Sequence, residues 1–156
     1  MSLVIFRIPD ETLEAMSATR RRELELALLE LNEDARDAGL EPNGDAILIA
    51  RGAQGGIKLT HQGTTLKLKR REFDENVKAY GDAMDRLSRA CLTPYGPQNL
   101  QRFDEAKSQV HRQGAGLMCD AMAGHHSLNE LVARRLYTVV YLVTTGSSAS
   151  RVTRHS

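Results

Sequence analysis

The stretch LNELVARRLYTVVYLV, residues 128–143, decides the fold that the sequence predicts. Ser127 followed by Glu130 three residues later is typical of a capping box, and the apolar residues after it recur at helical spacing. The positions predicted to face the core are Leu128, Leu131, Val132, Leu136, Val139, Val140 and Val143. The opposite face carries Glu130, Arg134, Arg135, Thr138 and Tyr141, and Gly146 is suited to end the helix. We therefore predict a core helix against which the other elements pack.

Apolar periodicity elsewhere predicts three more long helices and a small sheet. The predicted helices span residues 19–38, 71–92 and 98–121, and the predicted strands span residues 3–8, 46–50, 57–60 and 66–69. The predicted fold class is α+β, with an antiparallel sheet of three to four strands packed against about four helices. Residues 1–146 form one domain in this prediction, and residues 147–156 form a disordered basic tail.

The predicted helix 71–92 has a narrow apolar seam with alternating steps of four and three residues. Its members are Phe73, Val77, Tyr80, Met84, Leu87 and Cys91. Such a seam is typical of a buried bundle helix or of a dimer contact. We favour the bundle, and a homodimer stays possible.

Composition restricts the class of protein. The chain has 156 residues, 41% of them hydrophobic, which suits one globular domain. Its 21 basic and 20 acidic residues give a net charge of +1, which argues against a general polyanion binder. Cys91 and Cys119 lack metal-motif spacing, so we expect reduced thiols and a cytoplasmic location. We expect no membrane partner, since no apolar segment reaches 18 residues.

His111-Arg112-Gln113-Gly114 is the most suggestive polar group. An imidazole and a guanidinium beside a glycine backbone are suited to receive an anion or a carbonyl group. The plainer interpretation is a helix face with a packing glycine, and the shortness of the motif favours it. Gly114 and Gly116 lie within the predicted helix 98–121, which indicates a close helix contact, a bend or a ligand.

Metal binding by histidine and cysteine is a weaker hypothesis. The candidate ligands are His111, Cys119, His125 and His126, and their spacing matches no zinc motif. We therefore predict no metal site and no cofactor.

Arg134 and Arg135 are neighbours on the predicted core helix, so their side chains point about 100° apart. One of them must lie near the buried face and needs a partner. We favour an ion pair with Asp104, Glu105 or Asp120 over a bound anion. The basic runs 20–22 and 67–71 attract phosphate only if the fold brings them together.

The sequence resembles the UPF0262 family of small alphaproteobacterial proteins from about residue 5 to residue 143. The resemblance rests on the order of the segments and on two motifs. One is His111 with Gly114, which the family shows as H-N-E-G, and the other is Ala133-Arg134-Arg135-Leu136 followed by an aromatic residue and Thr138. Arg112 and Gln113 replace the family's Asn and Glu, which removes a carboxylate. The resemblance implies a bacterial cytoplasmic α+β protein without an established activity.

Three functional hypotheses follow from these residues. The leading one is a non-enzymatic interaction or regulatory protein, whose surface around His111, Arg112, Gly114, Arg134 and Arg135 receives a protein partner or an anionic small molecule. The second is a small enzyme for a phosphorylated or carboxylated metabolite, with His111 as general acid or base and Arg134 as anion clamp. It requires both side chains in one solvent-open pocket. The third, less favoured, is local RNA or DNA binding through the two basic runs.

Overall fold

A computed structural model of the chain describes residues 4–41, 46–52, 56–92 and 97–145, and the fold is α+β as predicted. The elements are β1 (Phe6–Arg7), α1 (Asp10–Glu14), α2 (Ala18–Asp37), β2 (Ile47–Arg51), β3 (Ile57–His61), β4 (Thr64–Thr65), α3 (Arg70–Cys91), α4 (Pro97–Met122) and α5 (Glu130–Thr145). The short helix α1 was not predicted. Gly146 and the predicted tail 147–156 lie outside the described residues. None of the described helices has an apolar stretch long enough to cross a membrane.

Helix α5 is the centre of the core. Its valines and Leu136 are fully buried, and it packs against α2, α4 and the sheet. Three details of the prediction are wrong. The helix starts at Glu130 with the Asn129 side chain accepting from the Val132 amide at 2.8 Å, Leu131 is 52% exposed, and Tyr141 is buried. Tyr141 is buried because Tyr80 of α3 covers it, with the ring centroids 4.9 Å apart.

The sheet has the order β1-β2-β3-β4 and is mixed, whereas we predicted an antiparallel sheet. β1 pairs with β2 in parallel because α1 and α2 lie between them and form a crossover connection. The other two pairs are antiparallel. Gln62 and Gly63 both have positive φ, which is the two-residue hairpin turn that suits strand twist. The predicted strand 66–69 is wrong, because β4 covers only Thr64–Thr65 and the residues after it lead into α3. The Leu66 amide still donates to the Leu59 carbonyl oxygen.

A buried asparagine attaches β1 to α2. The Oδ1 atom of Asn32 accepts from the amides of Ile5 and Phe6, both at 2.9 Å. Its Nδ2 atom donates to the carbonyls of Phe6 and Leu28. Asn32 therefore hydrogen-bonds the edge of β1 that faces away from β2.

Helix α3 packs along α4 of the same chain, which is the bundle arrangement that we favoured. The buried positions are Phe73, Asn76, Ala83 and Ala90, and Cys91 is exposed. Of the predicted seam, Phe73 is fully buried and Val77, Tyr80 and Met84 pack half-buried against the core, whereas Cys91 does not belong to it. Small residues at 83 and 90 let the two helices approach, which large side chains at those positions would prevent.

Candidate functional site

Helices α4 and α5 bring His111, Arg134 and Thr138 into one hydrogen-bonded group. The Nδ1 atom of His111 accepts from Arg134 Nε at 3.2 Å, and its Nε2 atom lies 3.2 Å from Thr138 Oγ1. The Thr138 hydroxyl donates to the Arg134 carbonyl oxygen, so its oxygen is left to accept from His111. This network assigns the imidazole proton to Nε2 and leaves neither ring nitrogen free.

The surroundings of His111 keep its ring uncharged. Burial first, then the charges of Arg134 and Lys107, lower the pKa of His111 to about 4. The ring is therefore neutral at pH 7. Since Nδ1 is already occupied by Arg134, it has no lone pair to offer a substrate proton.

Gly114 lies one turn after His111 and permits the contact between α4 and α5. A Cβ atom at this position would lie 2.1 Å from Tyr137 Cε1. The Tyr137 ring fills that space and meets the His111 ring edge-on, with the centroids 5.1 Å apart. The glycine prediction is thus confirmed as a close helix contact at Gly114. Gly116 has open space around it, and nothing in the structure explains it.

Arg135 faces α2, on a different side of α5 from Arg134. Its Nη1 atom binds Glu30 Oε2 at 2.6 Å and its Nε atom binds Asp34 Oδ2 at 2.8 Å. The predicted ion pair is confirmed, but the predicted partners on α4 are wrong because this side chain points away from α4. Arg112 is exposed. Of the five candidate residues, the structure brings together His111, Gly114 and Arg134, whereas Arg135 binds carboxylates of α2 and Arg112 is exposed and outside this hydrogen-bonded group.

A groove of about 390 Å³ opens between α2 and α3, and α5 forms its floor. It exists because α2 packs on α5 while α3 packs on α4, so α2 and α3 make few contacts with each other. The lining residues are Arg20, Glu23, Leu26, Ala27, Glu30, Tyr80, Met84, Arg135, Thr138, Tyr141 and Leu142. We did not predict this groove. A hint in the sequence was Leu26, a large apolar residue outside the core stripe of α2.

The groove combines an apolar body with a charged rim. Leu26 is 57% exposed, although it is a large apolar side chain. At the rim, Arg20 pairs with Glu23 at 3.2 Å and its own side chain is only 18% exposed. Thr138 lines the groove and also contacts His111, so the hydrogen-bonded group lies directly behind the groove wall.

The predicted metal ligands do not come together as a set. His111 is held by Arg134, and the Cys119 thiol lies 3.9 Å from the Leu128 carbonyl oxygen. His125 and His126 instead stand beside His61. Within residues 4–41, 46–52, 56–92 and 97–145, no group of three or more His, Cys, Asp or Glu side chains could hold a metal ion. Both cysteines are free thiols, as predicted.

Several of the basic residues proposed for nucleic-acid binding are paired with carboxylates of their own helices. Arg20, Arg21 and Arg71 contact Glu23, Glu25 and Glu75, respectively. Ion pairs between neighbouring turns of one helix are weak and do not prevent binding to phosphate. The nucleic-acid hypothesis stays a prediction.

Comparison of the chain with protein-family models, with curated proteins and with solved structures finds no match. Function must therefore be argued from the groove and the residues around it.

Proposed function

We propose that the protein is a non-enzymatic interaction or regulatory protein that binds a small molecule in the groove between α2 and α3. The ligand has an apolar body and one anionic group. The observation that carries this proposal is an apolar groove of about 390 Å³ with a largely buried arginine, Arg20, at its rim. Clefts of a few hundred Å³ with mostly apolar walls and a few polar groups are typical of small-molecule sites.

The apolar body of the ligand would lie on Tyr141 and Leu142. Leu26 of α2 and Met84 of α3 form the two walls. Covering Leu26 removes exposed apolar surface from water, which contributes roughly 25 cal/mol per Å². This gain favours a ligand with a flat or branched hydrocarbon part.

The anionic group of the ligand is assigned to Arg20. Its ion pair within the described residues is with Glu23 of the same helix, whose side chain is 53% exposed, and helix pairs of this spacing contribute only a few tenths of a kcal/mol. A ligand anion can therefore replace Glu23 at small cost. Arg135 is a poorer choice because Glu30 and Asp34 already surround it with two negative charges.

Binding of 8-anilinonaphthalene-1-sulfonate tests the proposal, because this dye has an aromatic body and a sulfonate. We expect enhanced fluorescence with the folded wild-type chain and none with Leu26→Asp. Leu29→Asp is the matched control, since Leu29 is equally exposed on α2 but does not line the groove. Because partly unfolded proteins also bind this dye, each variant must first show a cooperative thermal transition. Equal dye binding by folded Leu26→Asp would refute the groove as the site.

A second pair of measurements tests the role of Arg20. Arg20→Gln should weaken the sulfonate dye about tenfold, as expected for loss of a charged hydrogen bond, and leave uncharged N-phenyl-1-naphthylamine unaffected. If both dyes lose the same affinity, Arg20 shapes the groove and does not recognise the anion.

The basic surface of α4 and α5 supports a second candidate, a protein partner. Arg112 and Arg134 make no ion pair within the described residues, nor does neighbouring Lys107. Arg134→Ala and Arg112→Ala should each remain folded and lose the partner in a pull-down. Arg134→Ala removes a hydrogen bond to His111 as well as a charge. Arg112→Ala removes a charge alone, so it measures the effect of charge on partner binding without a change in helix packing. Undiminished capture by both folded variants would reject this surface.

The enzyme alternative has less support from the geometry. His111 and Arg134 contact each other, but neither lines the groove, and the imidazole nitrogens are occupied. Membership of UPF0262 and a bacterial cytoplasmic origin stay proposals that rest on the motifs at His111 and Arg134. A homodimer is likewise a proposal, which light scattering after size-exclusion chromatography can test.

A further inference from the structure

The groove between α2 and α3 has a charged group at each of its two ends. Residues that line it after Arg135 on α5 face residues that precede Glu30 on α2, so these two helices run in opposite directions along it. Ten residues of α2 separate Arg20 from Glu30, which corresponds to about 15 Å of helix. The proposed function uses the end at Arg20, and the end at Glu30 and Arg135 has no role in it.

The end at Glu30 and Arg135 offers one hydrogen-bond donor and one acceptor. Arg135 donates through Nη1 to Glu30 Oε2 and through Nε to Asp34 Oδ2. Within the described residues, Arg135 Nη2 and Glu30 Oε1 make no hydrogen bond. Both side chains line the groove and are partly exposed. A ligand can therefore use this donor and this acceptor while the ion pair stays intact.

The charges at this end select against a charged group on the ligand. One guanidinium, that of Arg135, faces the two carboxylates of Glu30 and Asp34, so a second anion would be repelled. An ammonium group would satisfy Glu30 Oε1 but would lie beside the guanidinium and leave Arg135 Nη2 without an acceptor. A neutral group that both donates and accepts satisfies the two free atoms together.

We infer that this end of the groove recognises an uncharged amide, either a carboxamide or a lactam. The amide carbonyl accepts from Arg135 Nη2, and the amide N–H donates to Glu30 Oε1. Since the inference concerns the same groove, it rests on the proposed function. The ligand then carries an anion for Arg20 at one end and an amide at the other. Its middle is a flat apolar ring system, because Tyr80 and Tyr141 line the groove between the two ends.

Competition with bound 8-anilinonaphthalene-1-sulfonate tests the inference on the wild-type chain. The competitors are naphthoates that differ only in the group opposite the carboxylate. We expect 6-carbamoyl-2-naphthoate to bind about tenfold more tightly than 2-naphthoate, as for a hydrogen bond to a charged group. Naphthalene-2,6-dicarboxylate and 6-(aminomethyl)-2-naphthoate should bind no more tightly than 2-naphthoate, because each places a charge beside a group of the same sign.

Glu30→Gln changes the order of the competitors if Glu30 is the acceptor. The variant removes a negative charge and adds an N–H donor, so the preference for the carboxamide over the dicarboxylate should shrink about tenfold. Glu33→Gln is the matched control, because Glu33 is exposed on α2 and does not line the groove, and it should keep the wild-type order. If a thermal transition shows that Glu30→Gln is not folded, the wild-type order decides.

The outcomes separate this inference from the proposed function. If the wild type binds the dye but holds the carboxamide no more tightly than 2-naphthoate, amide recognition is overturned and the groove remains a binding site. Tightest binding of the aminomethyl compound would likewise overturn it, since this end would then select a cation. Failure of the wild type to bind the dye would refute both proposals.

Discussion

Gly114 shows how one missing side chain fixes the spacing of two helices. Gly114→Ala would place a methyl group 2.1 Å from the Tyr137 ring, which is enclosed by His111, Phe73 and Tyr80. The ring cannot move freely, so we expect a loss of about 1–3 kcal/mol in the free energy of unfolding, as for other overpacked cores. Urea denaturation measures this loss.

The chain provides a matched control for this substitution two residues away. Gly116 lies in the same helix, and a Cβ atom added there would have no neighbouring atom within 4 Å. Gly116→Ala should therefore stabilise the protein by about 0.5–1 kcal/mol through helix propensity alone. If Gly114→Ala and Gly116→Ala both raise the free energy of unfolding, the close contact between α4 and Tyr137 is not present in solution.

The Tyr137 hydroxyl is buried and makes no hydrogen bond within the described residues. Burial first, then Tyr80 and Tyr141, raise the pKa of this phenol, so it stays protonated. Tyr137→Phe removes a polar group that has no partner, and the unfolding free energy should stay equal or rise by up to about 1–2 kcal/mol. A loss of stability in urea denaturation would mean that the hydroxyl has a partner in solution, such as a buried water molecule.

His111 makes the stability of the protein depend on pH. The unfolded chain takes up this proton near the ordinary pKa of 6.5, whereas the folded chain does so only at about 4. Between these values the unfolded state binds more protons, so the unfolding free energy falls as the pH is lowered from 6.5 to 4. His111→Gln should show a shallower fall in denaturation curves over this range. Parallel curves would show that His111 has the same pKa in both states. His126 contributes in the same direction in both proteins and cancels in the comparison.

At the scale of elements, the residue that caps the start of α5 is not the one that the sequence motif predicts. Ser127 and Glu130 match a capping box, yet the Asn129 side chain accepts from the Val132 amide. Asn129→Ala should cost about 1 kcal/mol in urea denaturation, the usual value for a lost N-cap. Ser127→Ala is the control and should change nothing measurable. A loss of stability in Ser127→Ala but not in Asn129→Ala would show that the capping box forms in solution.

Helical periodicity predicts α2, α3, α4 and α5 to within a few residues, because each element repeats its own apolar spacing. Contacts between elements are harder to predict. The partners of Arg135 on α2 depend on which side of α5 faces α2, and the parallel pairing of β1 depends on a crossover. The groove was not predicted because it arises where two helices fail to meet, and no local pattern encodes such a gap.

The structure brings together only some residues of the predicted site, for a related reason. His111, Gly114 and Arg134 do converge, but their contacts hold α4 against α5. Arg135 likewise joins α5 to α2. The residues that carry the family resemblance are therefore engaged in the assembly of three helices. A motif of polar residues cannot by itself distinguish such structural contacts from ligand binding.

At the scale of the whole molecule, Asn32 connects the N-terminal strand to the helical layer. In Asn32→Leu the amides of Ile5 and Phe6 lose their acceptor while remaining buried. An unsatisfied buried amide costs about 1–3 kcal/mol, so we expect a loss of at least that size in urea denaturation. Asn99→Leu, the same exchange on the exposed side of α4, should leave stability within about 0.5 kcal/mol.

Hydrogen exchange shows how far the effect of Asn32→Leu extends. β1 pairs with β2 at Phe6 and Arg7, with one further hydrogen bond from the Ile47 amide to the Ile5 carbonyl oxygen, whereas β2 and β3 pair over four residues and lie against α5. We therefore expect the amides of β1 to lose protection while those of β2, β3 and α5 keep it, because strands held by few contacts open separately from the core. Equal loss of protection across the sheet would mean that β1 and the core open as one cooperative unit. In that case Asn32 would stabilise the whole fold, since the crossover through α2 would then be required for the central strands to stay paired.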